Sequence, residues 1–444
     1  MSPLSLARAS SFRHGIHPEE MKELTRALPI ERVPFVKEYV LPLSQHTGAP
    51  SRPLVGPGTR VRRGEMIAAP DGYISTAQHA PVTGRVTGIE LRPHPMGRRV
   101  PSIVIEIDPF DSQRLDRDIP PELDSLPVSD VIRRVQEAGL VGLGGAAFPS
   151  HVKLQLPDGK HAQFVILNGC ECEPYLTCDH RVMVERPQAV IGGLRIIMQM
   201  VGAEVGYVGV EQNKPDAIAA LREAVSADPK IRIMPLEVKY PQGAEKMLID
   251  AIFQKEVPSG KLPLDLEIVV NNVGTAVALT DLFEHGKPLV ERVVTVTGPG
   301  VRRPANLMVP IGTSLEAVLE HCGGLHPETR QVIMGGPMMG MAQKTLDVPI
   351  IKGISGVLAL TEPAAILEEE PCIRCGRCLE ACPMFLNPSR LAALVRNDGV
   401  EGLQPLGMLD CCECASCSFV CPSHIPLVQL MRVGKAMVRQ QSGK

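Results

Sequence analysis

AQFVILNGCECEP, residues 162–174, is a short apolar run that stops on Asn-Gly and breaks into alternating Cys and Glu. A continuous run of this length, bounded by a turn signal, reads as a strand buried on both faces. Working outward, the pattern alternates. SDVIRRVQEAG (129–139) has a Ser/Asp start and a Gly stop and reads as a helix. PQAVIGGLRIIMQMVGA (187–203), KPDAIAALREAV (214–225) and GAEKMLIDAIFQ (243–254) read as helices. EVGYVGV (204–210), IRIMPLEVKY (231–240) and LEIVVNN (266–272) read as strands. Strands alternating with helices predict an α/β domain with a largely parallel, Rossmann-like sheet over residues 125–290. Such sheets bind ligands beyond the carboxyl ends of their strands. The polar residues there, Asn168 to Glu173, Glu211 to Asn213 and Asn271 to Thr275, are therefore the candidate site.

Residues 1–124 read as β-rich, with runs at 33–43, 59–66 and 85–91 between Gly and Pro. VGPGTRVRRGEMIAAPDG (55–72) and APVTGRVTGIE (80–90) form an internally paired unit similar to the barrel-sandwich hybrid, or hammerhead, of lipoyl and biotinyl carriers. Those carriers present a modifiable Lys at a hairpin tip. Residues 73–80 contain none, so the unit reads as structural. Residues 291–360 predict a small β-grasp-like (SLBB) domain: two strands around a Pro/Gly turn, a helix capped at Thr313 or Ser314, then the Gly/Met loop MGGPMMGMA (334–342). Residues 361–444 read as helical and Cys-rich, with an acidic linker at 366–370 and amphipathic helices at 388–399 and 425–440.

The 444 residues suggest several domains. Hydrophobic residues are 44% and charged residues 21%, which excludes a disordered chain. A net charge of −3 and 3% aromatics, with no Trp, argue against nucleic-acid binding. The most apolar window, 189–210, is interrupted by Arg195, Gln199 and Glu204, so no transmembrane span is predicted. No secretory h-region is seen in the first 20 residues, and the Ser/Arg stretch at 2–13 reads as a tail rather than a transit peptide.

Nine of the 13 cysteines fall between Cys372 and Cys421, a clustering that suits metal ligation in a reducing compartment better than disulfides. Cys372, Cys375, Cys378 and Cys382 are spaced C-x2-C-x2-C-x3-C-P, and Cys411, Cys414, Cys417 and Cys421 repeat the spacing. In this pattern three thiolates wrap one 4Fe–4S cubane and the fourth ligates the other. One cluster is expected on Cys372, Cys375, Cys378 and Cys421, the second on Cys411, Cys414, Cys417 and Cys382, within a ferredoxin-like domain. Cys412 is left over. Zinc prefers two spaced pairs, which this is not.

GLVGLGGAAFPSHVKL (139–154) follows a helix and is not the dinucleotide fingerprint. Alone it reads equally as a tight interdomain turn or as a loop whose backbone N–H groups approach a ligand, with Lys153 supplying charge. Asn side chains can bond ribityl hydroxyls and a flavin edge, and carboxylates can accept from ribose. Cys170, Cys172 and Cys178 match no standard ligand set and read as structural. His79, His151 and His321 read as surface or core polar residues.

GLGGAAFPSHVK (142–153), NGCECEP (168–174), YVGVEQNKP (207–215) and NNVGT (271–275) together resemble the NADH-oxidising flavoprotein subunit of respiratory complex I. With HGIHPEE (14–20), LPLSQHTGAP (41–50), YPQGAEKMLI (240–249) and MGGPMMG (334–340), the chain more strongly resembles the RnfC family, components of the Rnf complexes, which are ion-pumping NADH:ferredoxin oxidoreductases. The match runs from about residue 12 to 435. The resemblance implies FMN on Gly142, Gly144, Gly145, Lys153, Asn168, Asn271, Asn272 and Thr275. It implies NADH near Phe148, Glu171, Glu173, Tyr207 and Glu211. It implies hydride transfer from NADH to FMN and single-electron passage to two clusters. It implies as partners a ferredoxin-like cluster subunit and membrane-embedded subunits, with docking as a peripheral subunit on the cytoplasmic face of the bacterial inner membrane. Departures from complex I are Leu143 in place of Arg, Ala147 in place of Gly, Cys170 in place of Asp, and two clusters where that subunit has one. Two other readings stand beside it: a cobalamin reductase of bacterial microcompartments, and a non-catalytic electron relay.

Overall fold

The computed structural model describes residues 10–225, 228–362 and 368–441. Most of the stretch at 2–13 and the start of the linker at 366–370 lie outside them.

The alternation around residue 162 folds as the pattern requires. Ile231–Leu236, Val205–Glu211, Phe164–Asn168 and Ile268–Asn272 form a four-stranded sheet in that order, all parallel. The register sets Asn168 opposite Gly209 on one side and Asn272 on the other, so the carboxyl ends of three strands share one edge. The helices Pro187–Val201 and Val273–His285 cross on one face. A Cβ on Gly193 would lie 2.0 Å from the Ala276 carbonyl oxygen, so only glycine permits that crossing. Pro187 opens the first of them and Gly202, left-handed at φ 69°, closes it. Besides the short Ser150–Leu154, two helices of this domain have no counterpart in the sequence reading: Cys178–Glu185 and Val273–His285. The latter begins at the end of a strand, where the Asn272 side chain accepts from Gly274 N at 2.8 Å and caps it.

The N-terminal unit consists of two antiparallel sheets. Glu38–Pro42, Arg99–Ile107, Gly84–Pro93 and Arg60–Val61 make one, and Arg52–Pro53, Met66–Ala69 and Gln78–His79 the other. The hairpin tip at 73–80 is pinned to the parallel-sheet domain. Thr76 Oγ1 donates to the Gln136 carbonyl at 2.7 Å, and the His151 ring meets the Tyr73 carbonyl at 2.8 Å. A tip held this way does not swing. The chain before it is shared out: Ser10 and Ile16 bridge to Leu236 and Tyr240, and Ile30–Arg32 adds a parallel strand to the third unit's sheet.

That third sheet is mixed, in the order Ile30–Arg32, Ala305–Pro310, Glu291–Thr297, Gly356–Leu360, Gln331–Met334, Met341–Ala342. Ser314, not Thr313, caps Leu315–His321, accepting from Ala317 N at 3.2 Å. Lys352 is buried at the junction of all three units, and its ammonium donates to the Ala77 and Gly139 carbonyls, both at 2.7 Å.

The C-terminal unit packs Pro388–Arg396 against Leu427–Gln441 over Leu391, Val395, Leu403, Met408 and Met431. Its two cysteine motifs share one backbone conformation. The second Cys of each is flanked by left-handed residues, Arg374 and Gly376 in one, Glu413 and Ala415 in the other. Phe385 and His424 repeat it three residues past each closing Cys.

Candidate functional site

The strand edge carrying Asn168, Asn271 and Asn272 meets the glycine loop. Leu143 N donates to Thr275 Oγ1 at 2.9 Å and Gly142 N to the Phe148 carbonyl at 2.8 Å, closing the loop over the start of the Val273–His285 helix. Gly144 and Gly145 lie exposed at its crest. Gly145 has φ 115°, and a Cβ there would meet nothing within 4 Å, so open space faces it. Lys153 reaches the same edge from below, bonding the Val270 carbonyl at 3.0 Å and Glu245 at 2.8 Å. Asn168 donates to the Gly243 carbonyl at 2.8 Å, and Asn272 to Asp179 at 2.7 Å.

Buried polar groups without protein partners cost free energy and mark where a ligand belongs. Asn271 Nδ2 at the strand edge is such a group, and Gln242, fully buried next to Gly243, leaves both its amide atoms unpaired. Orphaned amides, a side-chain-free crest and one lysine fit a planar, polar-edged group bearing a phosphate. FMN is such a group.

The residues expected at NADH separate. Phe148 lies on the loop, half-buried. The Glu171 carboxylate accepts from Asp179 N and His180 N at 2.7 and 3.2 Å, at the start of a helix. The Glu173 carboxylate accepts from Met338 N and Met339 N at 3.0 and 2.9 Å, and burial pushes it up to about 7. Tyr207 packs its ring against Phe164 and Phe253 in the apolar layer. Glu211 pairs with Lys214 at 3.1 Å, two strands away from the strand that meets the glycine loop. Tyr207 and Glu211 are thus not brought to that loop. The segment 240–245 is, although none of its residues is expected at the site from sequence. Tyr-Pro-Gln-Gly after a strand is its signal: a rigid turn that lays backbone against a neighbour.

Cys170, Cys172 and Cys178 do not converge as ligands. Cys172 Sγ accepts from Gly243 N at 3.3 Å, and burial pushes the Cys170 and Cys178 thiols up. Among the described residues one set of Cys, Asp or Glu has its ligand atoms within 4.8 Å: Glu171, Cys178 and Asp179. Its oxygens are engaged by helix amides and Asn272. Burial and the neighbouring Glu171 push Asp179 up to about 7. His79 and His151 are buried, and His321 half-buried.

The cysteine motifs form two separate cavities. Cys372, Cys375, Cys378 and Cys421 line one, with Ile425 and Leu427. Cys382, Cys411, Cys414 and Cys417 line the other, with Met384, Leu386, Val428 and Met431, and Cys412 at its wall. Each takes three thiols from one motif and one from the other. Tetrahedral zinc at a Zn–S length of about 2.3 Å needs sulfurs about 3.8 Å apart. Among the described residues no three of these thiols lie within 4.8 Å of one another. The quartets suit a larger inorganic core, as a 4Fe–4S cubane is. Cys372 and Cys375 are exposed, whereas Cys382, Cys414 and Cys417 are buried. The buried cavity abuts the flavin-type domain through Tyr240 and Cys172, with Ile16 of the N-terminal segment and Met338 of the Gly/Met loop beside them, all packed with Ala381 and Cys414.

Family models match the chain in four successive blocks. They are the RnfC barrel sandwich hybrid domain at residues 10–109, the Nuo51 FMN-binding domain at 135–281, the SLBB domain at 293–342 and a 4Fe-4S dicluster domain at 371–426. The C subunit of the proton-translocating ferredoxin:NAD(+) oxidoreductase complex of Clostridium ljungdahlii is 45% identical over 87% of this chain and 85% of its own length. The C subunit of the Na(+)-translocating complex of Acetobacterium woodii is 43% identical over 98% of both chains. The C subunit of the ion-translocating oxidoreductase complex of Rhodobacter capsulatus is 41% identical over 98% of this chain and 84% of its own. On this likeness along nearly its whole length, the chain belongs to the RnfC family of the ion-translocating oxidoreductase complexes.

Proposed function

We propose that this chain is the NADH-facing electron-input subunit of a membrane-bound ferredoxin:NAD(+) oxidoreductase. The observation that supports it most is the juxtaposition of a cradle of orphaned amides with two thiol-lined cavities in one chain. FMN, when bound, supplies the conversion between two-electron exchange with NADH and single-electron transfer.

The chain's own residues do the rest. Gly144 and Gly145 leave room for the flavin and offer backbone N–H groups, while Gly142 fixes the loop by donating to the Phe148 carbonyl. Lys153, beside Glu245, supplies positive charge. Asn168, Asn271, Asn272 and Thr275 order the floor, with Asn271 Nδ2 and Gln242 free to bond the group. Phe148 offers an aromatic face for the nicotinamide. Glu171 and Glu173 hold their loop in shape through amide contacts, and Tyr207 and Glu211 act from within the fold. Cys372, Cys375, Cys378 and Cys421 hold the outer cluster, and Cys411, Cys414, Cys417 and Cys382 the inner one. In this reading residues 1–124, 125–290, 291–360 and 361–444 serve as brace, flavin domain, SLBB module and cluster domain.

No helix among the described residues is long and apolar enough to cross a membrane. Ion movement therefore falls to membrane-embedded partners, and the chain docks on the cytoplasmic face beside a ferredoxin-like subunit. The match to the barrel-sandwich domain over residues 10–109 speaks against a microcompartment cobalamin reductase.

Anaerobic reconstitution with iron, sulfide and FMN, followed by titration with NADH, tests the reading. NADH should bleach both the flavin band and the broad cluster absorbance. Bands that ignore NADH yet bleach with dithionite would sink NADH input by the isolated chain and favour either a relay or a site completed only in the assembled complex.

A further inference from the structure

Tyr240 is fully buried, and its hydroxyl donates to the backbone carbonyl of Cys414 at 2.8 Å. Cys414 is one of the four thiols around the inner cavity. The Tyr240 backbone is equally fixed. Its N–H donates to the Ile16 carbonyl and its carbonyl accepts from Ile16 N, both at 2.8 Å. Three residues on, Gly243 accepts from Asn168 on the flavin floor at 2.8 Å and donates to Cys172 Sγ at 3.3 Å. One four-residue segment therefore binds the floor of the flavin cradle at one end and the cluster loop at the other. Between them the Tyr240 ring packs against Ala381 and Cys414.

Cys414 stands between two left-handed residues, Glu413 and Ala415, neither of them glycine. Such backbone persists only where its surroundings hold it. Glu413 has Lys435 and Arg432 on its side chain, and Ala415 has no polar side chain to tie down. Ser259, Gly260 and Lys246 of the flavin-type domain hold Asp410 at the head of this loop, and the Tyr240 hydroxyl is the hydrogen bond from that domain that reaches Cys414 itself.

We propose that Tyr240 is a positioning residue: it clamps the Cys414 turn to the flavin floor and so keeps the inner cluster in register with the cofactor that feeds it. The proposal rests on the electron-input reading. It assigns to Tyr240 a task distinct from contacting substrate.

Tyr240→Phe keeps the ring and removes only the clamp. In the reconstituted protein, iron release to a chelator should be biphasic, fast from the cluster on exposed Cys372 and Cys375 and slow from the buried one. Opening of the Cys414 turn controls the slow phase. Loss of one buried hydrogen bond should speed that phase by at least about fivefold, the factor corresponding to ~1 kcal/mol, and leave the fast phase unchanged. The electron paramagnetic resonance signal of the inner cluster should change with it. Tyr240→Leu, which also removes the ring, should slow NADH-driven bleaching of the cluster band and leave dithionite-driven bleaching intact. An unchanged slow phase, or equal acceleration of both phases, overturns the clamp. Failure of NADH to bleach the wild-type flavin would instead overturn the electron-input reading, and the chelator assay does not depend on it.

Discussion

Cys421 stands 43 residues beyond Cys378 and four beyond Cys417, yet the cavities pair it with the distant residue. Removing it should therefore destroy the cluster of the first motif. With two 4Fe–4S clusters the chain holds eight irons, and each quartet accounts for four. Cys421→Ala alone, Cys378→Ala alone and the two together should each retain about four irons and about half of the broad visible absorbance, because both thiols serve one core. Cys417→Ala combined with Cys421→Ala should retain about none, because the pair strikes both cores. Cys382→Ala with Cys417→Ala should again retain about four. Metal binding and folding of such a domain are linked, so the double loss should also unfold it. Iron and acid-labile sulfide per chain, with far-ultraviolet circular dichroism as the folding control, measure all of this. If Cys417→Ala/Cys421→Ala kept four irons while Cys378→Ala/Cys421→Ala kept none, each motif would be closing its own cluster and the crossed arrangement would be refuted.

Two further outcomes follow from the packing. Glu291 is buried against Arg32 at 2.9 Å, Arg63 at 2.6 Å and Lys287 at 2.9 Å. Burial alone would raise its carboxyl, but these three cations hold it at about 2. The folded value lies below the unfolded one, so this stability is present above about pH 4.5 and is lost as pH falls towards 2. Glu291→Gln should cost about 3 kcal/mol at pH 7 and much less near pH 2.5 in paired denaturation experiments, and an equal penalty at both would contradict the reasoning. Gly145→Val forces a β-branched residue into φ 115° and fills the open space at the crest of the loop. FMN affinity should fall by about tenfold or more, read by ultrafiltration, while iron content stays at the wild-type level. Undiminished flavin retention would place the cofactor elsewhere.

Local patterns made much of this molecule legible. Short apolar runs alternating with helical segments that carry Pro, Ser/Asp or Gly at their ends suffice to specify the parallel sheet, because period and punctuation are properties of neighbouring residues. The cysteine spacing does the same for the cluster domain, since three thiols two residues apart can reach one core only by wrapping it. The glycine loop is visible as composition but not as a site. The Val273–His285 helix went unseen because its start is a single Asn272 cap on a strand end, and its Gly and Thr residues weaken the pattern.

Tertiary structure decided the rest, through contacts between residues that no spacing relates. Tyr207 enters the expected site only through the family resemblance, and in the fold the period-two alternation turns its ring into the Phe164 and Phe253 layer. Glu245 lies in the YPQGAEKMLI stretch, but nothing in that stretch marks it as the partner of Lys153, which it meets across 92 residues of chain. Ile30–Arg32 leaves the domain in which its position puts it, because the open edge of the third sheet offers it a parallel partner. The meeting of Tyr240 with Cys414, 174 residues apart, exists only because the folded domains are packed against each other. Sequence determined which elements form and which chemistry they carry, because those depend on short-range sterics and burial. Packing determined which of those residues face one another, because that depends on how whole surfaces fit.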